Sequence, residues 1–150
     1  MSKEQEKGMS LIVKVITRLT VGLILLYGIY IVLHGHISPG GGFAGGVIIA
    51  LSFVNLMLAY GKDVALKKLP KTTVSFFVSI GAILFISIAL LGFSDGYFFL
   101  NFLSKEEPFR LFSAGTIPLF DIAISLIVSA GLFAIFIALV LLKFEGEKKE

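Results

Sequence analysis

Four long apolar segments dominate this sequence and leave few folds open to it. They cover residues 11–33, 43–60, 74–93 and 117–142. A helix rises about 1.5 Å per residue, so about 18 to 20 apolar residues cross a hydrocarbon core roughly 30 Å thick. The chain is 57% hydrophobic and only 15% charged, with a mean hydropathy of +0.98. We therefore predict an all-α, polytopic membrane protein with four transmembrane helices, forming a single integral membrane domain over residues 1–150.

Lysine and arginine residues are distributed unevenly around these segments. Eleven of the 13 lie before or early in the first segment, between the second and third, or after the fourth. They are Lys3, Lys7, Lys14, Arg18, Lys62, Lys67, Lys68, Lys71, Lys143, Lys148 and Lys149. Only Lys105 and Arg110 lie on the other side. Basic loops stay cytoplasmic, so we predict that both termini are cytoplasmic in a cell membrane. The lipid bilayer explains this charge pattern, and no nucleic acid is expected as a partner.

The connection between the first two segments is a glycine-rich stretch, HGHISPGGGFAGG, at residues 34–46. Its GxGxxG pattern does not predict a dinucleotide site, because that site needs a preceding strand in a soluble βαβ unit. Irregular backbone at membrane depth survives only where protein or a wet cavity surrounds it, and glycine permits such backbone. Gly42, Gly46 and Ala50 then recur every four residues and predict close approach of another helix.

The two histidines, His34 and His36, allow three interpretations. They could bind a metal, but two imidazoles do not complete a site and the chain has no cysteine. They could instead hydrogen-bond carbonyl groups at the end of the first helix, where backbone groups have no intrahelical partner. A proton relay or ion path is the third, since histidine titrates near neutral pH. We expect no metal and no cofactor in this chain.

Asp121 is the acidic residue that stands out. It follows Pro118 at the start of the fourth segment, where the helix dipole favours a negative charge. Asp121, Ser125 and Ser129 also form a polar stripe, which raises ion or proton handling at a subunit interface as the alternative. Asn55, in the second segment, is expected to form an interhelical hydrogen bond.

The predicted topology puts the end of the first helix and the start of the fourth on the same side of the membrane. We therefore predict that Asp121 contacts the glycine-rich stretch, through His36 or through backbone N–H groups left unpaired there. The loop at residues 94–116 mixes aromatic and charged residues. It is expected to lie at the membrane interface or to dock a neighbouring subunit.

The segment GHISPGGGFAGG, followed directly by a membrane helix, resembles the signature of the MnhB/MrpB family. These proteins are membrane subunits of multisubunit Na⁺/H⁺ antiporters and of the antiporter-like modules in archaeal membrane-bound hydrogenase and sulfane reductase complexes. The late segment GTIPLFDIAIS and the four-helix plan extend the resemblance over nearly the whole chain. The matching motif positions are Gly35, His36, Pro39, Gly40, Gly41, Gly42, Phe43, Gly45 and Gly46.

The resemblance implies a non-catalytic subunit of a large ion-translocating complex, in which bigger membrane subunits carry the proton path. The sequence agrees, because no Lys, Arg or Glu lies in the middle of a predicted helix and a proton wire needs several ionisable groups. The absence of Cys and Trp and the scarcity of Asn and Gln favour a respiratory complex of a heat-adapted archaeon. A free-standing antiporter and a purely structural scaffold remain alternatives.

Overall fold

The computed structural model describes residues 9–61, 64, 66–67, 70–103 and 114–146. Within them, four helices are long and apolar enough to cross a membrane. They are α1 (Leu11–Leu33), α2 (Gly41–Tyr60), α3 (Lys71–Leu91) and α4 (Ile117–Gly146). A short 3₁₀ turn, Gly92–Asp95, continues α3, and the described residues include no strand. The predicted all-α membrane fold is therefore confirmed.

The helix bounds differ from the predicted ones mainly at polar ends. α1 has the predicted bounds, whereas α2 and α3 begin two and three residues early and α4 continues to Gly146. Hydropathy marks the part of a helix that lies in hydrocarbon, but the hydrogen-bonded backbone can continue past it. Pro70, with φ −68°, precedes the first residue of α3 and suits a helix start.

α2 and α4 form the centre of the bundle. α1 packs mainly on α2, and α3 packs on α4. In the apolar stretch of α1 only 11% of residues are buried, against 39% in α2. Glycines bring α1 and α2 together, since a Cβ on Gly45 would lie 2.9 Å from the carbonyl oxygen of Gly28. The outer face of α1 therefore meets lipid or another subunit.

The largest apolar core lies where α2, α3 and α4 meet. Phe133 of α4 is 1% exposed, and its ring lies 5.7 Å from that of Phe53 in α2. The other buried members of this core are Met57, Val74, Ala130 and Ile137. Close packing of these side chains holds the helices together, because lipid removes the usual hydrophobic driving force between them.

The bundle has two chemically different ends. We call the end that contains residues 34–40 the glycine end, and the opposite end, where α1 begins and α2 finishes, the N-terminal end. At the N-terminal end, the Met9 N–H donates to the Ala59 carbonyl at 3.0 Å. The Tyr60 hydroxyl donates to the Lys14 carbonyl at 2.9 Å. These two bonds tie the start of α1 to the end of α2.

Candidate functional site: the carboxylate at the glycine end

Asp121, in the second turn of α4, lies against the N-terminus of α2. Its Oδ1 accepts a hydrogen bond from the Gly42 N–H at 2.8 Å. The first N–H groups of a helix have no intrahelical partner, and the helix dipole favours a carboxylate beside them. The predicted contact between Asp121 and the glycine-rich stretch is therefore confirmed. It runs through a backbone N–H.

The second oxygen of this carboxylate is in a different position. Oδ2 of Asp121 is buried and accepts no hydrogen bond from any residue that the structure describes. It faces Gly35, where an added Cβ would collide with it. One oxygen of Asp121 thus caps α2, while the other retains its capacity to bind a proton or a cation.

The glycines of the motif make this contact sterically possible. A Cβ on Gly42 would lie 2.7 Å from Cα and 2.8 Å from C of Asp121, and one on Gly41 would lie 2.9 Å from Oδ1. Gly40 and Gly41 also have φ values of 124° and 55°, a backbone region that favours glycine. The glycine-rich stretch is thus shaped around one side chain of α4.

The small-residue stripe on α2 continues the contact toward the membrane centre. A Cβ on Gly46 would lie 3.1 Å from the Ser125 carbonyl oxygen and 2.9 Å from Cβ of Val128. Ala50, the next member, is 2% exposed. The predicted close approach of a helix to this stripe is confirmed, and at Gly42 and Gly46 that helix is α4 of the same chain.

The two histidines occupy the turn between α1 and α2. His34 Nδ1 lies 3.0 Å from the Tyr30 carbonyl oxygen, and the two rings stack at 4.2 Å. This contact agrees with the interpretation in which histidine bonds a carbonyl at the end of α1. His36 is half-buried in the same turn. No cluster of three or more potential metal ligands exists among the described residues.

The remaining polar candidates do not extend the site. The Ser125 hydroxyl donates to the Ile122 carbonyl at 2.8 Å, and the Ser129 hydroxyl donates to the Leu126 carbonyl at 3.4 Å. Both serines therefore bond their own helix. Asn55 is half-buried, about 20 Å from Gly42 by helical rise. Its expected interhelical hydrogen bond is not formed within the described part of the chain, so that prediction is wrong there.

Comparison with known proteins identifies the family. The model of the "Domain related to MnhB subunit of Na+/H+ antiporter" matches residues 12–134. The chain belongs to the MnhB family. The match includes the glycine-rich stretch, α2, α3 and Asp121, so the whole candidate site lies inside the MnhB domain.

Individual relatives of this MnhB domain come from bacteria and archaea. The chain is 34% identical to the corresponding Na⁺/H⁺ antiporter subunit of Bacillus subtilis, over 83% of this chain and 88% of its relative. It is 36% identical to the Methanocaldococcus jannaschii protein MJ1307, over 73% of this chain and 44% of that protein. Among solved structures it resembles a chain of the membrane-bound sulfane sulfur reductase, an archaeal respiratory complex. There the TM-score is 0.75 and the identity 30%, over 89% of this chain and 59% of the other.

Asn101 is a polar residue of the MnhB domain that sequence reasoning missed. Its Oδ1 accepts hydrogen bonds from the N–H groups of Thr116 at 3.0 Å and Leu103 at 3.2 Å. It thereby fixes the chain just before α4. The only sequence signal was an asparagine in a loop, where its side chain commonly bonds nearby backbone.

Aromatic residues anchor the described part of the loop at residues 94–116. Phe99 has φ 63° and stacks on Phe120 of α4, with ring centroids 5.3 Å apart. It also meets Phe85 of α3 edge-on at 5.8 Å. Residues 94–103 contain no α-helix, so an interfacial helix is not found there, and residues 104–113 lie outside the described residues.

Proposed function

We propose that this chain is a non-catalytic membrane subunit of a multisubunit Na⁺/H⁺ antiporter module within an archaeal membrane-bound respiratory complex. The structural similarity to a chain of the sulfane sulfur reductase supports this host. The chain spans 59% of that reductase chain and 44% of MJ1307, so further segments of those proteins have no counterpart in it. A free-standing antiporter is the second candidate, favoured by the match to 88% of the Bacillus subtilis relative.

Copurification tests the host directly. An affinity tag on this chain, used on its native membranes in mild detergent, should recover antiporter-type membrane subunits together with redox subunits of a respiratory complex. Mass spectrometry of the purified material identifies them. Antiporter subunits without redox subunits would support the free-standing antiporter instead. A chain that elutes alone would contradict both.

We propose further that the site formed by Asp121 and the glycine-rich stretch lies against another subunit, near an ion route. The observation that carries this proposal is the buried Asp121 Oδ2, which no described residue hydrogen-bonds. Phe43, next to Gly42, is 64% exposed, and such an aromatic residue suits a protein contact. His34, His36 and Ser125 are the other residues that we assign to this interface. Asn55 is assigned to a separate contact nearer the N-terminal end.

The orientation of the chain is also a proposal, based on its basic residues. We propose that the N-terminal end is cytoplasmic and the glycine end external. In cells, a cysteine introduced at Ser38 should react with a membrane-impermeant maleimide, whereas one at Glu147 should react only after permeabilisation. The chain has no native cysteine, so the background is low. The opposite labelling pattern would show that the orientation is reversed.

A further inference from the structure

A cavity of about 230 Å³ lies at the N-terminal end and has no place in the function proposed above. Arg18, Leu56, Tyr60 and Val64 line it. One wall is held in place, because the Tyr60 hydroxyl donates to the Lys14 carbonyl and so fixes α1 against α2. The cavity therefore combines a cationic group, a phenol and two aliphatic side chains within a preformed space.

Arg18 needs an anionic partner at this position. It lies seven residues after the start of α1, about 10 Å along the helix, which places its backbone inside the apolar span. A guanidinium group at such depth pairs with an anion or extends to the headgroup layer. Among the acidic residues whose side chains pack in the described helices and turns, Asp121 lies at the glycine end, at the far side of the bundle.

The chemistry of the cavity matches a lipid phosphate better than a soluble anion. A guanidinium group binds phosphate through paired hydrogen bonds, and Lys14, at the same end, adds positive charge. Leu56 and Val64 offer apolar contacts that a free phosphate ion cannot use. Basic pockets between membrane helices bind anionic headgroups in this way.

We propose that this cavity binds an anionic phospholipid. Arg18 holds the phosphate, while Leu56 and Val64 contact the glycerol and the first methylenes. The site is distinct from the carboxylate at the glycine end and does not rest on its role in transport.

Titration of the full-length chain in detergent with phosphatidylglycerol, followed by thermophoresis, tests the proposal. Phosphatidylcholine and glycerol phosphate serve as the zwitterionic and soluble probes, and both should bind at least about tenfold more weakly. Arg18→Gln should weaken phosphatidylglycerol binding about tenfold or more, the loss expected for one charge-assisted interaction. Arg110→Gln, which removes the same charge from the other arginine of the chain, should leave it unchanged.

A second variant separates binding from folding. Leu56→Trp keeps every charge but fills the cavity, and it should also weaken phosphatidylglycerol binding. Wild-type affinity in both Arg18→Gln and Leu56→Trp would overturn the proposal. Equal affinity for glycerol phosphate would show a soluble anion site instead. Intact lipid binding with loss of Arg18→Gln from the purified complex would assign Arg18 to a carboxylate of a partner subunit.

Discussion

Gly42→Ala is expected to prevent stable packing of α2 against α4 and to remove most of the assembled complex from the membrane. The new Cβ would lie 2.7 Å from Cα of Asp121 and 2.8 Å from its carbonyl carbon. Both are backbone atoms, which cannot rotate away as the end of a flexible side chain can. Overpacking typically costs about 1–3 kcal/mol, and more where the neighbour cannot shift. The measurements are the midpoint of thermal unfolding in detergent and the yield of copurified subunits.

Gly22→Ala is the matched control for this substitution. Gly22 also lies in a membrane helix, but a Cβ there meets nothing within 4 Å in this chain. Alanine at this position should leave both the unfolding midpoint and the yield close to wild type. If Gly42→Ala behaved like Gly22→Ala, the glycine at position 42 would not be required for the contact with Asp121.

Asp121→Asn is expected to preserve assembly and to abolish most Na⁺/H⁺ exchange by the complex. The asparagine Oδ1 can still accept the Gly42 hydrogen bond, so α2 stays capped. The amide group cannot take up a proton or neutralise a cation, however, and this capacity is what the buried Oδ2 provides. Exchange is measured as sodium-dependent pH change in vesicles that contain the purified complex.

Asp121→Ala should have a different effect. It leaves the Gly42 N–H unpaired in a dry environment, and we expect a loss of stability of about 1–3 kcal/mol together with reduced assembly. Asp95→Asn removes a carboxylate from the turn after α3, and it should change neither assembly nor exchange. Full exchange by the Asp121→Asn complex would show that the motif serves only as a structural turn, and would favour the scaffold role.

The two predictions separate shape from chemistry at one site. Gly42 contributes only the absence of a side chain, whereas Asp121 contributes both a hydrogen-bond acceptor and a charge. A purely structural junction requires the first two of these properties. An ion-handling junction also requires the charge, so the comparison of Asp121→Asn with Asp121→Ala decides between them.

The sequence alone determined the membrane fold, because the length and polarity of each segment specify whether it can remain in hydrocarbon. The bounds of α1 and the first residue of α4 were predicted correctly for this reason. The family was also accessible, since the glycine-rich stretch and the helix that follows it are contiguous in the chain. The starts of α2 and α3 were missed by two and three residues, because hydropathy does not report where backbone hydrogen bonding begins.

Only the tertiary structure decided which polar groups meet. Asp121 and Gly42 are 79 residues apart, and nothing local indicates that one oxygen of the carboxylate caps α2 while the other stays buried without a described partner. The serines after Asp121 formed a stripe in the sequence, but each bonds its own helix because a helical carbonyl lies within reach of its hydroxyl. Asn101 gave almost no signal, since its role depends on α4 beginning beside it. Periodicity specifies a helix and its apolar face, whereas pairing between distant polar groups depends on how the helices are arranged.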